Sequence, residues 1–330
     1  MKKLIFLLTS ILTAAAFICA VFIIGVFASP SIVYLDAENG SDSNNGTSPD
    51  RAFATMEKAI EMLSDVGGTV ILCSDYTFDA NSVFIEPEHD GEITLSSVDD
   101  AKLYLKSNTE YHLSGPTVFS DINIYNEGTV HFVGNFNPVT FDMGVNMQSA
   151  KNQSSVKLYG GYMRVDQNSR TDLDSHITIK SGDLFSTVVG FVAQKGTATT
   201  TFTGTSYIDI YGGSISKILC ASADNHFSGS TKINVMGGNI GTLCTGGNAT
   251  RRLNGTADIG IYGGEIENLN INNVVGDINL TLDAGSIFDA SVKYANITIK
   301  NDAADSKLYV LYNSIVYTQS FIDMLTESAF

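Results

Sequence analysis

The sequence predicts an all-β solenoid, a parallel β-helix with a short N-terminal capping helix. Three observations carry this. The phrases 202-FTGTSYIDIYGGSI-215, 227-FSGSTKINVMGGNI-240 and 253-LNGTADIGIYGGEI-266 are one unit written three times, with second glycines Gly213, Gly238 and Gly264 at steps of 25 and 26 residues. A period in this range signals stacked repeats. Within each unit the apolar residues alternate at a spacing of two, as in strands with one buried face, and no window has helical spacing.

Each unit reads as a strand, a glycine corner, a second strand and a variable loop, which together make one coil. Ile208, Ile210 and Ile215 should face inward, and Asp209, Tyr211 and Ser214 outward. The paired glycines mark a bend where a Cβ would obstruct the chain. Weaker copies occur at 156-VKLYGGYM-163, 177-ITIKSGDL-184 and 278-INLTLDAGSI-287. Stacking predicts that Leu219, Leu243 and Leu269 form an internal row, with Cys220, Cys244 and Asn270 beside it. Adjacent coils are close enough for a Cys220–Cys244 bridge, and a reduced, buried cysteine ladder is the competing expectation.

Upstream of the repeats, segments 69–73, 82–85, 92–95, 102–105, 120–125 and 129–133 read as early, less regular coils of the same domain. Two segments suit the ends. In 52-AFATMEKAIEMLSD-65, Phe53, Met56, Ala59, Ile60 and Leu63 share a helical face, and 319-QSFIDMLTES-328 is patterned similarly. Both would cover open strand edges that otherwise invite aggregation.

The first 28 residues stand apart. Lys2 and Lys3 precede an apolar run from Leu4 to Ala28, and Val26-Phe27-Ala28 offers small residues at a signal-peptidase spacing. The run is also long enough to span a bilayer. A cleaved signal and a retained membrane anchor are therefore both open, and either expects the remainder, secreted or at the cell surface, outside the cytoplasm. The organisation expected is 1–28 for export or anchoring, 29–66 for entry strand, loop and capping helix, and 67–330 for the solenoid and its C-terminal cap.

Charge narrows the partners. With 35 acidic against 19 basic residues and a net charge of −16, the chain lacks the clustered cations that phosphate backbones require, so nucleic acid is not expected. Cys73, Cys220 and Cys244 form no CxxC pair and no disulfide framework, which leaves zinc without a signature.

The segment 33-VYLDAENGSDSNNGTSPDRAFATMEKAIEML-63 resembles the entry region of the pectate-lyase-like, right-handed parallel β-helix superfamily, through Gly40, Ser41, Asp42, Asn44, Gly46, Thr47, Phe53, Thr55 and Ala59. The resemblance covers about 30 residues. It implies a right-handed β-helix with some force and function only weakly, since that fold hosts lyases, hydrolases, epimerases, adhesins and inactive proteins. The acidic loop 36–46 lacks EF-hand spacing and reads as a turn on the entry strand. The Gly-His-Gly turn that the superfamily's polygalacturonase-type hydrolases carry is absent, and Asp99-Asp100 reads as a solvated turn.

Three groups of residues could carry function. Loops after the cysteines should emerge at one edge, bringing Asp224, His226, Arg251 and Arg252 together as a base, a cation and a carboxylate for proton abstraction beside a sugar acid. Asp166, Asp172 and Asp174 on an earlier loop could recruit Ca2+. Tyr159, Tyr211 and Tyr262 precede glycine pairs and should point outward, as a platform for sugar rings. His112 and His131, inside strands, read as structural. The expectation is an exported β-helix protein presenting a carbohydrate- or protein-binding face, its partner a polysaccharide or cell-surface glycan. A polysaccharide lyase acting on an acidic polymer and a structural envelope component are the alternatives.

Overall fold

The computed structural model describes residues 31–149, 155–163, 172–193, 201–221, 226–227, 229–245, 255–271, 278–292, 296–299 and 308–310. The N-terminal apolar segment and the 319–328 cap lie outside these residues. The chain is an all-β solenoid whose strands pair in parallel with those of the next coil.

Two long sheets run along it. The first stacks Ile32–Leu35, Gly68–Leu72, Ile93–Ser97, Thr117–Phe119, Val139–Phe141, Ser175–Ile179, Thr205–Ile210 and Ser230–Val235, then the leading parts of Ala257–Ile271 and Ile278–Val292. The second stacks Val83–Ile85, Glu110–His112, Thr129–Val133, Ser155–Met163, Phe185–Ala193, Ser214–Ala221 and Asn239–Cys244, followed by the trailing parts of the same two long strands. A third sheet, Tyr76–Phe78, Lys102–Leu105, Asn123–Asn126 and Asn146–Ser149, walls only the N-terminal half.

The interior follows that change of wall. Between three sheets the core is aromatic: Phe78, Phe84, Tyr111, Phe119, Phe132 and Phe141 are buried, and Phe119 stacks on Phe141 at 4.8 Å. Further along, ladders of branched aliphatics fill it, Ile208 on Ile233 on Ile259 on Leu280, and Ile210 on Val235 on Ile261 on Leu282. Cross-strand pairing of β-branched side chains, whose χ1 is already restricted, suits such a stack. The inward and outward positions expected for Ile208, Ile210, Ile215 and Tyr211 are those observed.

The glycine corners are left-handed. Gly213, Gly238 and Gly264 have φ of 84°, 89° and 81°. Their carbonyl row is in register: the N–H groups of Ser214, Asn239 and Glu265 donate to the carbonyls of Gly182, Gly213 and Gly238, each at 2.9 Å. Earlier coils turn with other residues, Asn81 and Asn108 at φ 58°, and Asp99 and Asp121 at φ 54° and 46°. Asn and Asp accept this region because their short polar side chains bond locally. The two asparagines also hold each other across coils, Asn108 donating to the Asn81 side chain at 3.0 Å.

The N-terminal helix is Met56–Leu63, shorter than the 52–65 expected, because Thr55 caps it in extended conformation by accepting the Lys58 N–H. Its Met56, Ala59, Ile60 and Leu63 are buried. Asp42 ties the entry loop to this cap, accepting from the backbone N–H groups of Ala54 and Thr55 and from the Thr55 hydroxyl. Asp36 accepts from Glu38, Asn39 and Ser74. The loop's acids thus hold the turn, as its spacing suggests.

One internal row needs correction. Opposite Leu243 and Leu269 stands Ile218, not Leu219, and Leu219 stands opposite Cys244 and Asn270. Aligning the coils on their cysteines assumes a 24-residue step, whereas the strands pair at 25. Cys220 is therefore one residue past Cys244, and Cys73, Cys220 and Cys244 are all free.

Candidate functional site

The outer face of the first sheet carries three parallel rows in its C-terminal half. One contains His176, Tyr207, Lys232, Asp258 and Asn279. The His176 and Tyr207 rings stack at 4.5 Å and 4°, and the Lys232 ammonium lies 5.5 Å from the Tyr207 ring. The middle row contains Thr178, Asp209, Asn234, Gly260 and Thr281, in which Asn234 donates to Asp209 at 2.7 Å. The third sits at the glycine corner and contains Lys180, Tyr211, Met236 and Tyr262, with Lys180 paired to Asp142 at 3.0 Å.

Sequence alternation places the third row outward, and it is open: Tyr211, Met236 and Tyr262 are 50 %, 40 % and 37 % exposed. Large apolar side chains in a row at a solvent face are the kind of feature that marks binding surfaces. Gly260 shapes this row. A Cβ at position 260 would sit 2.3 Å from a ring carbon of Tyr262. The Tyr262 ring therefore lies across the space that a side chain in the middle row would fill.

Tyr159 belongs elsewhere. Its strand runs straight through Gly160 and Gly161 on the second sheet, where Tyr159 pairs with Val133 and Val189. The Gly-Gly spelling at 160–161 is shared with the corners, but its geometry is not.

Around Tyr159 the structure assembles a group that sequence reading treated as structural. Glu110 accepts from His112 Nε2 at 2.9 Å and lies 3.6 Å from His131 Nδ1. Tyr159 stacks near Tyr162 at 6.3 Å and 12°, and the His131 ring approaches Tyr159 at 5.6 Å. Burial works against ionised Glu110, but hydrogen bonds and charge from His112 and His131 win and hold its carboxyl below the usual range. Burial, then the Lys157 ammonium in the same row, push the His131 imidazolium down. Burial lifts the Tyr159 phenol to about 12, with Tyr162 and Glu110 adding to it. Only the pairing of strands a coil apart brings Glu110, His131 and Lys157 into one row, and no local motif announces it.

The other expected sites are placed in part. His226 lies in the short strand His226–Phe227, paired with Thr201–Phe202. Asp224, Arg251 and Arg252 lie outside the described residues, as does Asp166. Asp172 and Asp174 are exposed, and Asp174 accepts the Thr205 N–H at 2.6 Å, an inter-coil contact that occupies one of its oxygens. Among the described residues no group of three His, Cys, Asp or Glu side chains could hold a metal ion, and no helix is long and apolar enough to cross a membrane. In comparisons with known proteins, no family model, no curated protein and no solved structure matches the chain.

Proposed function

We propose that this is an exported or surface-anchored β-solenoid that binds carbohydrate on the outer face of its first sheet. One observation carries the reading: Tyr211, Met236 and Tyr262 are exposed in successive coils beside the hydrogen-bonded Asp209–Asn234 pair. Sugar rings bury apolar C–H faces on aromatic side chains and offer hydroxyls to neighbouring polar groups. A sheet face with an aromatic row next to an amide and carboxylate row meets both needs. The apolar N-terminal segment and the likeness of 33–63 to the pectate-lyase-like superfamily agree with a glycan-facing role outside the cytoplasm. Retention of the protein on immobilised polysaccharides, compared with Tyr211→Ala and Tyr262→Ala, tests the reading. Retention undiminished in both variants overturns binding on this face, and retention of none of the three leaves a protein-binding or structural role.

A second reading, a lyase on acidic polysaccharide, has support from His131. Its Nδ1 faces Glu110, which leaves Nε2 as the basic atom, and burial together with the neighbouring Lys157 favours the neutral ring. A neutral imidazole beside a cation suits proton abstraction next to a sugar carboxylate.

A further inference from the structure

We propose that the ligand of the tyrosine row is an unbranched, neutral, β-1,4-linked hexose chain laid along the solenoid axis, with alternate rings resting on Tyr211 and Tyr262. This rests on the carbohydrate-binding reading above and specifies the polymer.

Spacing selects the linkage. Tyr211, Met236 and Tyr262 occupy the same position in three successive coils. Neighbouring parallel strands are about 4.8 Å apart, so the backbone positions that carry the two tyrosines repeat at about 10 Å. A flat β-1,4-linked chain turns each ring over relative to the last and therefore presents the same face at every second ring, at nearly that interval. An α-1,4-linked chain coils and cannot keep alternate rings on one flat line. Met236, unbranched and polarisable, fills the gap beneath the intervening ring without imposing a shape.

Charge selects the polymer. The two lysines of this face are engaged, Lys180 with Asp142 and Lys232 over Tyr207. Asp209 and Asp258 each accept from an asparagine one coil on, Asn234 and Asn279, both at 2.7 Å. A polyanion would meet carboxylates here, on a chain whose net charge is −16. A neutral chain meets acceptors and amides that suit its hydroxyls.

Gly260 is the positioning residue. Because the Tyr262 ring occupies the space above it, a side chain there would displace the ring from the position it holds.

Calorimetric titration of the full chain with cellohexaose, cellobiose, maltohexaose and tetragalacturonate tests the proposal. Cellohexaose should bind, and Tyr211→Ala or Tyr262→Ala should each weaken it about tenfold, the scale of one lost aromatic stack. Cellobiose is too short to reach both rings and should bind at least about tenfold more weakly. Gly260→Ala should weaken cellohexaose several-fold in the parent but add little in the Tyr262→Ala background, while the melting temperature stays as in the parent, an effect that general destabilisation would not produce. Tyrosine-dependent binding of maltohexaose or tetragalacturonate in preference to cellohexaose overturns the proposal and leaves carbohydrate binding standing. Binding of none of these sugars, or binding indifferent to both tyrosines, overturns the proposal and the reading beneath it together.

Discussion

His89 and Glu86 form an ion pair at 3.1 Å in which neither side chain meets solvent. The other His89 ring nitrogen faces the Gly91 carbonyl at 2.8 Å, so both nitrogens look at acceptors. An imidazole with two acceptors is fully satisfied only when protonated. Glu86 also accepts from the Ser114 N–H and the Thr117 hydroxyl, which fixes its position.

This arrangement sets a pH dependence. Burial pulls the His89 pKa down, but the Glu86 and Gly91 hydrogen bonds, with the charges of Glu86 and Asp90, outweigh it and raise it above the ordinary value. Buried Tyr111, its phenol held well above its usual range by burial and by Glu86, adds no charge here. A raised folded-state pKa gives stability that is fully present below the unfolded value, about 6.5, and is lost as pH rises through the folded value. Melting temperatures from pH 5 to 9 should fall across that window in the parent and run flat there in His89→Gln. An identical slope in the variant would remove His89 as its source.

The corner carbonyl ladder makes Gly238 intolerant of side chains. Its φ is 89°, and a Cβ would lie 2.8 Å from the Gly213 carbonyl oxygen. Gly238→Val should cost on the order of 1 kcal/mol for the left-handed backbone alone and more for the contact with Gly213. Chemical denaturation measures it, and an unchanged midpoint would contradict the corner geometry.

The one-residue offset at the cysteines predicts their chemistry. Cys220 is fully buried, and burial lifts its thiol to about 12, with Cys244 adding to the rise. Burial also raises Cys244. Thiolate is the reactive form, so neither should react with a thiol reagent until the chain unfolds, while Cys73, partly open to solvent, should react in the folded protein but slowly, because burial and the charges of Asp36 and Asp99 raise its thiol as well. Mass spectrometry after mild oxidation should find no Cys220–Cys244 bridge.

The lyase reading has a test at His131. If elimination occurs on an acidic polysaccharide, His131→Ala should lower its rate by roughly 10²–10⁴-fold, the scale of a lost general base. Absorbance of the unsaturated product follows the rate. Activity untouched by this substitution would move the chemistry to another part of the chain.

Much of the fold was legible because the repeats are local. Gly213, Gly238 and Gly264 keep a constant step, and alternation around Ile208 and Ile233 fixes which face is buried. The early coils were harder, since Asn81, Asn108, Asp99 and Asp121 turn the chain where glycine was the expected signal. Strands as short as Tyr76–Phe78 and Thr117–Phe119 leave too few residues for a period to show. The tyrosine face was half legible: Tyr211 and Tyr262 share a row, but Tyr159 carries the same neighbours in a strand that does not bend. Glu110 and His131 are 21 positions apart, and only the inter-coil register makes them neighbours.

The corner ladder also makes length a separable property of this protein. Each glycine corner hands its carbonyl to the next coil in the same way, at Gly182, Gly213 and Gly238. A whole unit, such as the 25 residues that separate Gly213 from Gly238, could be duplicated or removed and its neighbours would still meet matching partners. The outer face that carries Tyr211 and Tyr262 would then lengthen or shorten by one strand spacing. The molecule is built as a ruler, graduated in coils, and its reach along the strand stack is set by how many graduations the gene contains.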